Sequence, residues 1–225
     1  MIITTAILVD GAFYRKRAKS LFGDKSPEDR AKELHDYCLK HVHAFKGNEY
    51  NLYRIFYYDC PPINKNVFNP IIQKDEALGK SEQFEWMTEF LNKLKSKRKL
   101  ALRLGRLSDA QLHYNLKYDS FKKLVKGTLS VSSLSQQDLE LNIEQKGVDM
   151  RIGVDISSLS FKKQVSQIVL IAGDSDFVPA AKQARREGID FILDPMEAHI
   201  NPDLYEHIDG IRSQIKNIKT DITTG

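Results

Sequence analysis

Runs of apolar, β-branched and aromatic residues recur along the chain, and segments with helical spacing lie between them. The run "IITTAILVD" (2–10) has the length and continuity of a buried strand. The segment "PEDRAKELHDYCLKHVHAF" (27–45) sets Leu34, Cys38, His41 or Val42, and Phe45 on one helical face. Pro27 suits its first turn and Ser26 its cap. "YNLYRIFYYD" (50–59) predicts a second strand, stopped by "CPP". A helix follows over 81–97 with Ser81 as its cap, then a third strand over 99–107. Two more strands are predicted over 167–174 and 188–195. The helix over 177–187 joins them and Gly188 ends it. Continuous apolar strands alternating with helices predict an α/β fold with a mostly parallel central sheet covered on both faces. Residues 108–145 break the pattern, being polar and without a strong period. They are expected to form an insertion, partly extended, as a β-arm or a lid. The expected organisation is a single domain over 1–225 with this insertion and a helical tail over about 202–225.

Composition narrows the class. Two hundred and twenty-five residues allow one α/β domain, or one with a long insertion. Hydrophobic residues at 41% and charged residues at 28% suit a globular protein rather than a disordered one. Cys38 and Cys60 are the only cysteines and form no CxxC pair, so a disulfide framework or a cysteine zinc site is not expected. No apolar run reaches about 18 residues. The first residues read as a strand that meets Asp10 too early for a leader peptide. The expected location is the cytoplasm. The net charge of +4 permits a polyanionic partner without requiring one.

Aspartate recurs where strands end and helices begin. Asp10 closes the first strand, Asp149 opens the helical run "MRIGVDISSLSF", and Asp174 and Asp176 close "QIVLIAG". Strand C-termini of a parallel sheet share one edge, and ligands bind there. Asp10, Asp174 and Asp176 are therefore expected to converge, with Asp149 joining them if its helix starts at that edge. A lone aspartate at a strand end ordinarily caps a helix or makes a turn, and Asp176 could do no more than that. Four at one edge repel by about 4 kcal/mol per pair at 4 Å in a medium of effective dielectric near 20. Such a cluster calls for protons or a cation, and hard carboxylate oxygens suit Mg²⁺ or Mn²⁺. A bound metal of this kind polarises a phosphoryl oxygen and acidifies a bound water. Asp155 is expected to pair with Arg151 four residues before it. Asp59, followed by "CPP", reads as a turn residue at the outer rim.

At these residues the chain resembles the NYN domain family of PIN-like nucleases, in its LabA-like branch. The matching stretches are "ILVDGAFYRK", "YRIFYYDCPP", "LRLGRL", "QKGVDMRIGVDISSL" and "VLIAGDSDFVPAAKQARREG". The resemblance implies a three-layer α/β/α PIN-like, Rossmann-like fold. It also implies metal-dependent ribonuclease activity, with Asp10, Asp149, Asp174 and Asp176 as the catalytic, metal-binding carboxylates. Phe13 stands where members of the family often carry an asparagine, two residues after the Asp-Gly step.

The basic residues expected to touch phosphate are Arg15, Lys16 and Lys146. Lys122, Lys123 and Lys126 of the insertion could close over a strand, yet no aromatic–basic interleaving of an RNA-binding module is evident. His35, His41 and His43 fit structural roles better than metal ligation. The combined expectation is an endoribonuclease acting on single-stranded RNA, with a non-catalytic RNA- or protein-binding regulatory module as the alternative. A phosphatase with an aspartyl nucleophile fits less well, because the first strand offers only Asp10-Gly11-Ala12. A homo-oligomer is compatible with the sequence.

Overall fold

The computed structural model describes residues 2–43 and 49–215. In chain order the elements are β1 (Ile2–Asp10), α1 (Gly11–Phe22), α2 (Pro27–His43), β2 (Glu49–Asp59), β3 (Asn66–Asn69) and β4 (Lys74–Ala77). Next come α3 (Glu82–Lys95), β5 (Leu100–Leu104), β6 (Arg106–Leu116), α4 (Tyr118–Val125), β7 (Leu139–Lys146) and α5 (Val148–Phe161). The last are β8 (Gln167–Ile171), α6 (Val178–Arg186), β9 (Asp190–Asp194), α7 (Pro202–Tyr205) and β10 (Gly210–Ile211). The chain divides into two compact units. One comprises residues 1–60, 89–105 and 147–225, the other 61–88 and 106–146.

The first unit holds a six-stranded sheet, among the described residues, in the order β10-β9-β8-β1-β2-β5. Each of its strand pairs is parallel. Strand order runs outward from β1 in both directions, and right-handed crossovers then set helices on both faces. This three-layer α/β/α arrangement explains the apolar runs: Ala6 to Val9 of β1 and all of β8 are buried. The expected parallel α/β fold is the one observed.

Three local features differ from the sequence reading. The stretch after Asp10, where the apolar pattern predicts no element, forms α1, because Asp10 caps it at once. The predicted strand over 99–107 breaks at Gly105, whose amide bonds to the Asp59 carbonyl at 2.8 Å. Residues 106–116 then pair antiparallel with β7 instead of continuing the sheet. Near the C-terminus, α7 is one turn long and β10 adds to the sheet edge beside β9. The remainder of the segment expected to be a helical tail, from 216 on, lies outside the described residues.

The second unit contains the β3–β4 hairpin, the β6–β7 ribbon and α4. A polar cluster sits within it: Asn69 donates to Glu76 at 3.0 Å and to Gln136 at 2.8 Å, and the Tyr114 hydroxyl donates to Glu76 at 2.9 Å.

One buried polar network anchors the far side of the main sheet. Asp194 at the end of β9 is fully buried. It accepts from the Tyr37 hydroxyl at 2.5 Å and the Met196 amide at 2.8 Å, and His41 Nε2 lies 2.9 Å away. Arg212 donates to the His41 carbonyl at 3.1 Å, which ties the C-terminal segment to α2. Deleting the carboxylate leaves three polar groups without their partner in a dry site. Asp194→Ala is expected to lower the unfolding free energy by about 3 kcal/mol in urea denaturation; a loss below about 1 kcal/mol would show that the network contributes little.

Candidate active site

The strand order reverses between β8 and β1, and the crevice beyond their C-termini is where an open α/β sheet takes its ligands. Asp10 ends β1 and caps α1, its Oδ1 accepting from the amides of Ala12 at 3.0 Å and Phe13 at 3.1 Å. Beyond β8, Asp174 caps the short turn Ser175–Phe177, accepting from the Asp176 amide at 3.1 Å. Asp149 lies in the first turn of α5, which starts after Gly147 in the left-handed region at φ 80°. Asp10 is half-buried, whereas Asp149, Asp174 and Asp176 are exposed. A cleft of about 450 Å³ opens here, lined among others by Asp10, Phe13, Gly173, Asp174, His199 and Asn201.

Electrostatics links the carboxylates. Burial pushes Asp10 up to about 6, and the charges of Asp149 and Asp59 push the same way, against its two amide hydrogen bonds. Asp149 is raised by partial burial and by the charges of Asp174 and Asp176. The four predicted residues therefore sense one another in the chain Asp10–Asp149–Asp174/Asp176. As placed, no three His, Cys, Asp or Glu side chains among the described residues are grouped to hold a metal ion.

Asp59 is the member that the sequence reading underrated. It is 1% exposed, so it is a buried neighbour of Asp10 and not a rim residue. It accepts from the Tyr57 hydroxyl at 2.8 Å, the Cys60 amide at 2.8 Å, and Arg15 through both Nε at 3.1 Å and Nη2 at 3.0 Å. Burial still raises its pKa, opposed by Arg15 and the hydroxyl. Two adjacent strands that each end in aspartate were the available signal: Asp10 pairs in register with Tyr58, and Asp59 is the next residue. The close approach also explains Gly11, where a Cβ would come within 2.4 Å of Asp59 Oδ2 and 2.6 Å of the Tyr57 ring.

The remaining candidates fall in several places. Arg15 is committed to Asp59. Lys16 is exposed and has no ion pair among the described residues. Lys146 belongs to the second unit and pairs with Glu144 at 3.2 Å. Asp155 does not use Arg151 as expected. Its carboxylate takes Arg103 Nε at 3.0 Å and the Tyr58 hydroxyl at 2.8 Å, because Tyr58 and Arg103 are register partners on β2 and β5. Phe13 packs on Gly173 so closely that a Cβ there would lie 2.5 Å from the ring.

A comparison with protein families matches the NYN domain over residues 87–205, more than half of the chain. The chain belongs to the NYN domain family. The span matched to this PIN-like nuclease family includes Asp149, Asp174 and Asp176, whereas Asp10 precedes it. No curated protein matches the chain in sequence. Among solved structures, a protein of unknown function from Vibrio parahaemolyticus is similar with a TM-score of 0.46 and 12% identity, over 93% of this chain and 91% of that one.

The raised pKa of Asp10 has a stability consequence in this NYN domain without metal. The native state holds the proton up to about pH 6, whereas an unfolded aspartate releases it near 3.8. The ionised form therefore costs stability above pH 6, and that cost is relieved as pH falls toward 4. Asp10→Asn keeps an acceptor for both amides and removes the charge. It should raise stability by about 1–3 kcal/mol near neutral pH, and the gain should vanish near pH 4. Chemical denaturation at the two pH values in EDTA checks this; a gain independent of pH would contradict it.

Proposed function

We propose that this NYN domain is a metal-dependent endoribonuclease that cleaves single-stranded RNA. The observation that carries the reading is that Asp10 and Asp174 line one cleft at the switch point of the sheet, with Asp149 at the start of α5 near enough to raise the pKa of Asp10. The donor set consists of hard carboxylate oxygens at a net negative site, which fits Mg²⁺ or Mn²⁺ and not a soft metal. Asp10, Asp149, Asp174 and Asp176 are the proposed ligands. Asp10 Oδ1 is held by two amides, and Oδ2 has no protein hydrogen bond among the described residues. The three exposed carboxylates have to turn inward to share an ion with it. When bound, the cation would supply Lewis-acid activation of the phosphate and an acidified water.

The protein's own groups do the rest. Asp59 and Arg15 hold β2 against the start of α1 and so fix where Asp10 stands. Lys16 and Arg15 are the proposed phosphate contacts in this unit, with Lys16 the one whose ammonium has no ion pair among the described residues. Asp174→Asn keeps the acceptor that caps the Ser175–Phe177 turn and removes the charge. It is expected to cut Mn²⁺-supported cleavage of single-stranded RNA by at least about 100-fold while leaving the fold intact. Equal rates for the two proteins would overturn the assignment.

Phe13 favours a second reading, a non-catalytic NYN-type module that binds RNA or protein. Its ring lines the cleft beside Asp10 and Asp174 and offers no hydrogen bond to water or phosphate. Binding of RNA without turnover in both Mg²⁺ and Mn²⁺ would decide for this reading.

A further inference from the structure

Helix α4 of the second unit carries an apolar face with no partner among the described residues. Tyr118, Phe121 and Val125 are 68%, 51% and 72% exposed. Their spacing of three and four residues puts them in one row. At about 100° per residue, Phe121, Val125, Tyr118, Lys122 and Lys126 follow one another across about 140° of the surface. The opposite side is anchored: Ser120 is buried and donates to Asp138 at 2.7 Å, and Leu124 is half-buried. The exposed side is therefore fixed outward by the packing of the helix. Aromatic rings and lysines interleave on it, a pattern that becomes visible only once the helix and its buried side are known. The Lys122 ammonium stands 4.3 Å from the centroid of the Tyr118 ring.

We propose that this face of α4 binds a single-stranded RNA segment, its rings stacking on bases and Lys122 and Lys126 meeting phosphates. Charge complementarity selects the occupant. Between residues 117 and 126 there are four lysines and one aspartate. A second copy of the chain would bring lysine against lysine, and the centres of protein interfaces are depleted in lysine. Three apolar side chains on an eight-residue helix are a small anchor for a lipid surface. Exposed rings beside cations are what a flexible strand with accessible bases uses, and a duplex keeps its bases stacked away from such rings.

The proposal concerns binding and stands apart from the cleavage reading. The test measures fluorescence anisotropy of a labelled, unstructured single-stranded RNA with the full chain in EDTA, carrying Asp174→Asn so that the probe stays intact. Tyr118→Ala/Phe121→Ala should weaken binding at least about tenfold with the salt dependence unchanged, since each stacked base contributes appreciably. Lys122→Gln/Lys126→Gln should lower the slope of log affinity against log salt by about 1.4, the value for two single-strand phosphate contacts. All four positions are exposed, so unchanged thermal melting is expected and confirms folding. Unchanged RNA affinity in both double variants overturns the proposal, including the case in which the aromatic variant alters only self-association or vesicle binding. Equal competition by a duplex also overturns it. Binding that follows these expectations, in a wild type that never cleaves, removes the nuclease reading and leaves this one; cleavage with binding insensitive to both variants does the reverse.

Discussion

A strand buried on both faces carries polar groups inside it only where they pair, as Thr5 does with Gln167, and carries ionisable groups at its ends. In β1, Ala6 to Val9 are wholly enclosed, and Asp10 is the first residue with access to a cleft. The same constraint acts on β8, which is buried along its whole length before the chain reaches Asp174. Because β1 and β8 are parallel neighbours, both chains leave the core at the same edge. Polar chemistry accumulates there because the preceding runs, Ala6 to Val9 and Ile168 to Ile171, are closed to it. Helix α1 begins at that edge, and its unpaired amides favour an anion in the place that Asp10 occupies.

Seven aspartates of this unit fall into two kinds. Asp59, Asp155 and Asp194 have side-chain partners: Arg15 and Tyr57, Arg103 and Tyr58, Tyr37 and His41. Asp10 and Asp174 accept only backbone amides, and among the described residues no lysine or arginine pairs with Asp10, Asp149, Asp174 or Asp176. Burial alone does not separate the groups, since Asp59 and Asp194 are the most enclosed. What separates them is compensation: the structural carboxylates are hydrogen-bonded by side chains of the protein, and the ones at the crevice are left to repel one another. That difference, and not the count of acidic residues, distinguishes a site from an acidic surface.

The parallel core was legible because a fully buried strand writes itself as an unbroken apolar run, as in "IVLI" and "AILV". The aspartates at the strand ends were legible for the same reason, since the run fixes where it stops. Contacts between distant segments were not. The Arg15–Asp59 pair joins residues 44 apart, and nothing local to "DCPP" distinguishes a buried anchor from a turn. Asp155 shows the opposite error: Arg151 is near in sequence, yet sheet register delivers Arg103 instead. The β3–β4 strands are four residues each, too short for a period to register. Helix α1 was missed because its apolar period is weak and its start is set by the Asp10 cap, a feature of geometry and not of periodicity.

Asp10 and Asp59 make a controlled comparison within one molecule. They lie on adjacent parallel strands, one register step apart, and each ends its strand. Both feel burial, and Asp59 receives a bidentate guanidinium and a hydroxyl, whereas Asp10 receives two amides and the charge of Asp149. An asparagine at position 10 would cap α1 as well and avoid the charge, so the carboxylate is not explained by capping. Nor is it explained by packing, because Gly11 already concedes its side chain to let Asp59 and Tyr57 approach. The charge is offset only in part by the two amides, and no ammonium or guanidinium among the described residues pairs with it, which is consistent with the proposed cation ligation. Strain or charge of this sort persists where function requires it and the surrounding structure can bear its cost. The Asp59–Arg15 pair is that surrounding structure here: it holds the neighbouring strand end rigid while the charge on Asp10 stays open.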